Sequence, residues 1–150
     1  MDDTESVTMD DEERDAFLGT GGTGVISYAR EGDEPPYAVP VSYGYDAAEE
    51  TFYFRLAVGP GGEKSDLAGR MVTFVTHGET DRYRSVVATG RLEPTDEDGI
   101  GTDAMAGMRR VHIPLHDVFG RATSEMTFEF HRLVPDELTA RAESTAPTGG

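Results

Sequence analysis

Lys64 is the single lysine among 13 basic side chains, and it stands in Gly59-Pro60-Gly61-Gly62-Glu63-Lys64-Ser65, just after the strand-like run Thr51-Phe52-Tyr53-Phe54-Arg55-Leu56. A glycine-rich turn exposes backbone N–H groups, and a compact ammonium at the start of a helix adds a charge. Together they suit a phosphate. Arg55 and the Ser65 hydroxyl could converge on the same dianion through charge-assisted hydrogen bonds. On physical grounds alone, a solvated lysine on a surface turn accounts for the loop equally well. An NTPase loop fits poorly, because that motif needs glycine where this chain has Val58 and Glu63.

Other residues offer less chemistry. Gly19-Thr20-Gly21-Gly22-Thr23-Gly24 matches G-x-G-x-x-G, yet it precedes a strand instead of linking strand to helix, so it reads as a flexible connector and not a dinucleotide loop. His112 and His116 stand four apart, but Pro114 between them disfavours the helical turn that would bring both to one metal. His77 and His131 end or occupy strands, where a structural histidine is more common than a catalytic one. No nucleophile and base can be paired by spacing, so catalytic residues stay unassigned and no metal site is expected.

Composition sets the surroundings. At 150 residues the chain fits one domain, and a net charge of −16 should repel nucleic acid and anionic membrane surfaces. An acidic surface almost free of lysine resembles that of proteins from extreme halophiles, where salt shortens the Debye length to about 3 Å and screens repulsion. The absence of cysteine excludes disulfides and thiolate chemistry. The acidic start and the lack of a long apolar run predict a cytoplasmic protein.

The elements that would position these residues are mostly strands. A disordered stretch over 1–8 precedes a short helix that Thr8-Met9-Asp10-Asp11 would cap and that ends near Leu18. Strands are predicted over 24–29, 37–45, 51–57, 71–77, 83–92 and 125–134. Short helices are predicted over 64–70 and 103–109, and a disordered tail over 142–150. Pro40 marks the second strand as an edge or a bulge. Hairpin-linked strands with few helices favour an antiparallel barrel spanning 9–141.

Four segments in order, Gly24-Val25-Ile26-Ser27, Tyr37 to Tyr43, Phe52-Tyr53-Phe54-Arg55 leading to Glu63-Lys64, and Tyr83 to Gly90, resemble the pyridoxamine 5'-phosphate oxidase-like family of FMN-binding split barrels. The resemblance covers about residues 10–141. It implies a mainly β fold, a six-stranded antiparallel split β-barrel with short flanking helices, and a homodimer with FMN at the subunit interface. It implies a flavin lined by Val25, Ile26, Ser27 and Tyr28, with ribityl and phosphate groups held by Phe54, Arg55, Glu63 and Lys64. Ser85, five residues before Gly90, takes the place of a polar side chain facing the ring. An arginine such as Arg82, Arg84 or Arg91 would stabilise anionic reduced flavin. Oxidation or reduction of a small molecule follows from the same likeness. The chain lacks the tryptophan and the longer basic C-terminal part of members that oxidise pyridoxamine phosphate itself, which points to another substrate. Relatives on this barrel also hold a deazaflavin or haem, and a non-catalytic flavin-binding or sensing module remains an alternative. His112 or His131 would be the haem ligands.

Overall fold

A computed structural model of the chain describes residues 6–58, 69–95, 107, 109–113 and 127–144. In order these form β1 (Ser6–Thr8), α1 (Asp11–Leu18), β2 (Gly21–Tyr28), β3 (Tyr37–Asp46), β4 (Thr51–Val58), β5 (Met71–Glu79), β6 (Tyr83–Pro94), β7 (Thr127–Leu133) and β8 (Glu137–Glu143). The strands pair in the order β1-β8-β6-β5-β2-β3-β4-β7, and β6 also pairs with β7. That last contact, Leu92 opposite Leu133, closes β2 to β7 into a six-stranded antiparallel barrel. The predicted helices over 64–70 and 103–109 lie almost wholly outside the described residues.

Period-two alternation decides which side chains fill the barrel. On β5 and β6 the even positions Val72, Phe74, Val86, Ala88 and Leu92 are buried, and on β4 so are Phe52, Phe54 and Leu56. Phe74 is the hub, with ring centroids 4.9 Å from Phe54 and 5.2 Å from both Phe52 and Tyr43. A barrel of this size is filled by its own side chains.

Two glycines mark close approaches. The Gly19 to Gly24 run is not the flexible connector that its composition predicts, since Gly21 to Gly24 open β2. A Cβ at Gly24 would sit 2.5 Å from the Val75 carbonyl oxygen and 2.6 Å from the Phe74 ring, so the position needs glycine to let β5 pass. Gly90 lies where β6 exchanges β8 for β7, and a Cβ there would meet Leu133 at 2.8 Å. Pro40 sits in the half of β3 that pairs with β2 and lies outside the β3–β4 register, where a missing N–H costs nothing.

Helix α1 begins as its acidic first turn predicts. The Asp10 carboxylate accepts the Glu13 N–H at 2.8 Å, and Gly19 ends the helix at φ 60°. Its buried side is tied to the barrel: Tyr43 donates to the Leu18 carbonyl at 3.0 Å and Tyr45 to Asp15 at 2.9 Å. Arg82 and Arg84 both bond Glu13, and Arg84 also reaches Asp81 at 2.6 Å, which ties α1 to the β5–β6 turn.

Candidate functional site

The predicted site residues separate by strand parity. Ile26 and Phe54 are fully buried and point into the barrel core, so their side chains shape the wall and cannot line a ligand on its outside. Val25 faces outward and is 40% exposed. Ser27 and Tyr28 line a cavity of about 430 Å³ with Ala29, Pro36, Met71, Val72, Thr73 and Thr89. Glu63 and Lys64 lie outside the described residues.

Register turns the outer face into rows, because directly opposed residues in antiparallel strands share a side. One row runs Pro40, Val25, Val75, Val87, Thr139 across β3, β2, β5, β6 and β8. Beside it runs a hydroxyl row, Ala38, Ser27, Thr73, Thr89, Glu137. On the other side lie Arg55, Ser42 and Thr23 on β4, β3 and β2, and His77, Ser85 and Arg141 on β5, β6 and β8. Thr76 Oγ1 donates to the Thr23 carbonyl at 2.8 Å and links the two halves of that row. An apolar strip bordered by hydroxyls suits a flat ring with polar edges, or the matching face of a second chain.

Arg55 and Ser85 do not converge. Four strand spacings of about 4.8 Å separate β4 from β6, roughly 19 Å of curved surface. Burial pushes the Arg55 guanidinium pKa down. Beyond Arg55, the outer side of β3 is covered by residues 109–113. Arg110 grips Asp46 with two bonds, Nε to Oδ1 at 2.8 Å and Nη2 to Oδ2 at 2.7 Å, and the His112 N–H donates to the Thr20 carbonyl at 2.9 Å. The Asp46 contact raises the Arg110 pKa.

The other singled-out groups have structural employment. Arg82 and Arg84 are held by Glu13 and Asp81, and Arg91 donates to the Gly69 carbonyl. His131 is fully buried in β7, opposite Phe54, with Nε2 3.9 Å from Glu129. It could meet a haem only if the barrel wall opened. His112 is exposed, and His116 lies outside the described residues. Among the described residues no group of three or more acidic or histidine side chains is placed to hold a metal, and no helix is long and apolar enough to cross a membrane.

Sequence reasoning missed Pro40, Thr73, Val75, Val87 and Thr89. The signal was present: the tight β5–β6 turn around residues 79–83 fixes which residues face each other, and that register lines up Thr73 with Thr89 and Val75 with Val87.

The fold recurs among solved structures. A candidate pyridoxamine 5'-phosphate oxidase from Corynebacterium glutamicum superposes with a TM-score of 0.65 at 21% identity, covering 92% of this chain and 98% of that one. A protein described as FAD-binding from Mycobacterium smegmatis gives 0.64 at 17% identity, over 91% and 97% of the two chains. Another, from Mesorhizobium loti, gives 0.59 at 20%, over 94% and 98%. At these identities the likeness is one of fold. No curated protein matches in sequence. The family model for pyridoxamine 5'-phosphate oxidase, however, matches residues 10–142, from the N-cap of α1 into β8. Barrel, strand order and sequence model agree, and the chain belongs to the pyridoxamine 5'-phosphate oxidase family.

Proposed function

We propose that the chain is a homodimeric flavoprotein that holds FMN on the outer face of its barrel and uses it for electron or hydride transfer to a small molecule. One observation carries this reading: Val25, Ser27, Arg55 and Ser85 face outward from a filled barrel, with four strand spacings between Arg55 on β4 and Ser85 on β6 along the β4-β3-β2-β5-β6 face. A ligand between two copies would be within reach of both walls. The outward strip of exposed Val25 with half-buried Val75 and Val87 supports a second copy as the cover, and the two similar structures described as FAD-binding proteins support a flavin.

In this arrangement Lys64 and Arg55 bind the phosphate, with Glu63 beside them. Val25 and its row bury a ring face, and Ser27 and Ser85 bond polar edges. Ile26 and Phe54 hold the wall in place from inside. A bound flavin supplies two-electron chemistry, and the chain contributes position, dryness and charge. An acidic surface with a single lysine supports action in a salt-rich cytoplasm. Deazaflavin, with its longer anionic tail, would call for more cations than Arg55 and Lys64.

The test is an absorption spectrum of the protein in molar salt, before and after adding FMN, with Lys64→Ala alongside. Flavin bands that persist through gel filtration are expected. The variant should retain FMN more weakly by about 1.5–3 kcal/mol, as for loss of a charged hydrogen-bonding partner. A protein that stays colourless with added FMN refutes the cofactor, and equal retention by the variant refutes the phosphate assignment.

A further inference from the structure

Arg82, Arg84 and Arg91 are the arginines nearest Ser85 in sequence, and the fold directs each of them away from it. Arg82 and Arg84 share the parity of the buried Val86 and Ala88 and turn to α1, where Glu13 holds both. Arg91 faces outward but lies farther along β6, about 20 Å from Ser85 at the rise of a strand, and donates to the Gly69 carbonyl. Arg141 is placed differently. It is directly opposed to Ser85 on β8, so the two share the outer face. Inward Ala140 and Ala142, 6% and 1% exposed, fix that parity, and Arg141 itself is exposed. Among the described residues its side chain makes no ion pair, and its hydrogen bond is a long one, from Nη1 to the Ser6 hydroxyl at 3.3 Å. Glu143, the next outward residue of β8, turns its carboxylate to the Tyr83 N–H at 2.8 Å instead.

We propose that Arg141 sets the reduction potential of the flavin, by bringing its guanidinium to the ring edge that Ser85 bonds and stabilising the charge of the reduced form. The proposal rests on the flavin reading and deepens it. Ser6 belongs to the three-residue edge strand β1 and is exposed, so the bond it offers is one that water can replace. A charge-assisted bond to an anionic ring edge is the stronger alternative. Two electrons and one proton added to a neutral ring leave one negative charge, and a second copy covering this face would keep it dry, where a neighbouring cation counts for more. The oxidised ring carries no such charge, so Arg141 contributes little to holding it. Arg55, the other outward arginine of these rows, is assigned to the phosphate and lies four strands away.

Reductive titration of the FMN-loaded full chain with dithionite and a reference dye, in molar KCl, tests it, with calorimetry of oxidised FMN alongside. Arg141→Gln should favour the reduced flavin about tenfold less, a midpoint about 30 mV lower for a two-electron couple. Its affinity for oxidised FMN should change by less than about twofold, and Arg141→Lys should restore most of the potential. Arg84→Gln removes the same charge from the residue beside Ser85 that faces α1, and it should keep the wild-type potential, because molar salt screens charge that is not in contact. A wild-type potential in Arg141→Gln, or an equal fall in Arg84→Gln, overturns the assignment of Arg141 and leaves the flavin reading standing. A wild-type chain that binds no FMN overturns both.

Discussion

Replacing Tyr43 with phenylalanine should reverse the order of stability between neutral and alkaline pH. Tyr43 is 3% exposed, and its hydroxyl donates to the carbonyl of Leu18, the last residue of α1, itself 1% exposed. A helix end leaves such carbonyls without internal partners, so Tyr43→Phe strands a buried acceptor at a cost of about 1 kcal/mol. The phenol carries a second, opposing contribution. Burial, against a smaller opposite effect of Thr76, pushes its pKa from 10 up to about 12. A raised pKa means that the folded state holds its proton more tightly than the unfolded chain, so the stabilisation is complete below pH 10 and is lost as pH rises towards 12. At pH 11 the wild type has given up about 1.4 kcal/mol through this group, one decade of the shift. The variant has no such loss. Tyr45, also raised by burial, is common to both and cancels. Urea unfolding at pH 8 should therefore favour the wild type by about 1 kcal/mol, and at pH 11 the two should be equal or inverted. A gap that stays constant from pH 8 to 11 would refute the reasoning.

Val25→Glu should leave the monomer folded, since the side chain is 40% exposed, but should abolish association through the outer face, as light scattering would show. An unchanged dimer would place the interface elsewhere. Acid should weaken the α1 tether: Arg82 and then Arg84 hold the Glu13 pKa below its usual 4.5, and Arg84 holds Asp81 below its usual 3.8. Depressed carboxylates stabilise above those values, so stability should fall from about pH 5 to 3, and Arg84→Gln should flatten that fall in urea titrations. Salt opposes itself here, screening these ion pairs and also the repulsion of a −16 chain. Because exposed pairs contribute little each, the urea midpoint should rise between about 0.1 and 1 M KCl, and a fall would count against the halophile-type reading.

The six barrel strands and α1 were legible because their patterns are strong. Phe52, Phe54 and Leu56 alternate with Tyr53 and Arg55, and Asp10 announces the helix. β8 was not legible, for a physical reason: Glu137-Leu138-Thr139-Ala140-Arg141-Ala142-Glu143 is poor in β-branched and aromatic residues, and its inward Ala140 and Ala142 signal no burial by size. β1, Ser6–Thr8, is three exposed residues held by β8 and by the bond from Met9 N–H to the Ala140 carbonyl at 2.9 Å. Within β2, Val25 and Ile26 are both apolar, so the pattern alone could not say which faces the core.

The same ambiguity explains why the site was harder to read than the fold. A binding face on the outside of a barrel is assembled from every second residue of several strands, and each strand contributes only two or three. Its chemistry exists only after register is fixed: Ser27, Thr73 and Thr89 are 46 and 16 residues apart in sequence yet adjacent on the surface. The stack of Tyr28 on Tyr37, with Arg70 over the first ring and Arg30 over the second, has the same origin, since a hairpin end and the start of another strand meet only when β2 pairs with both β3 and β5. In a chain this acidic, Arg14, Arg82, Arg84, Arg110 and Arg132 are spent on carboxylates that hold the fold together.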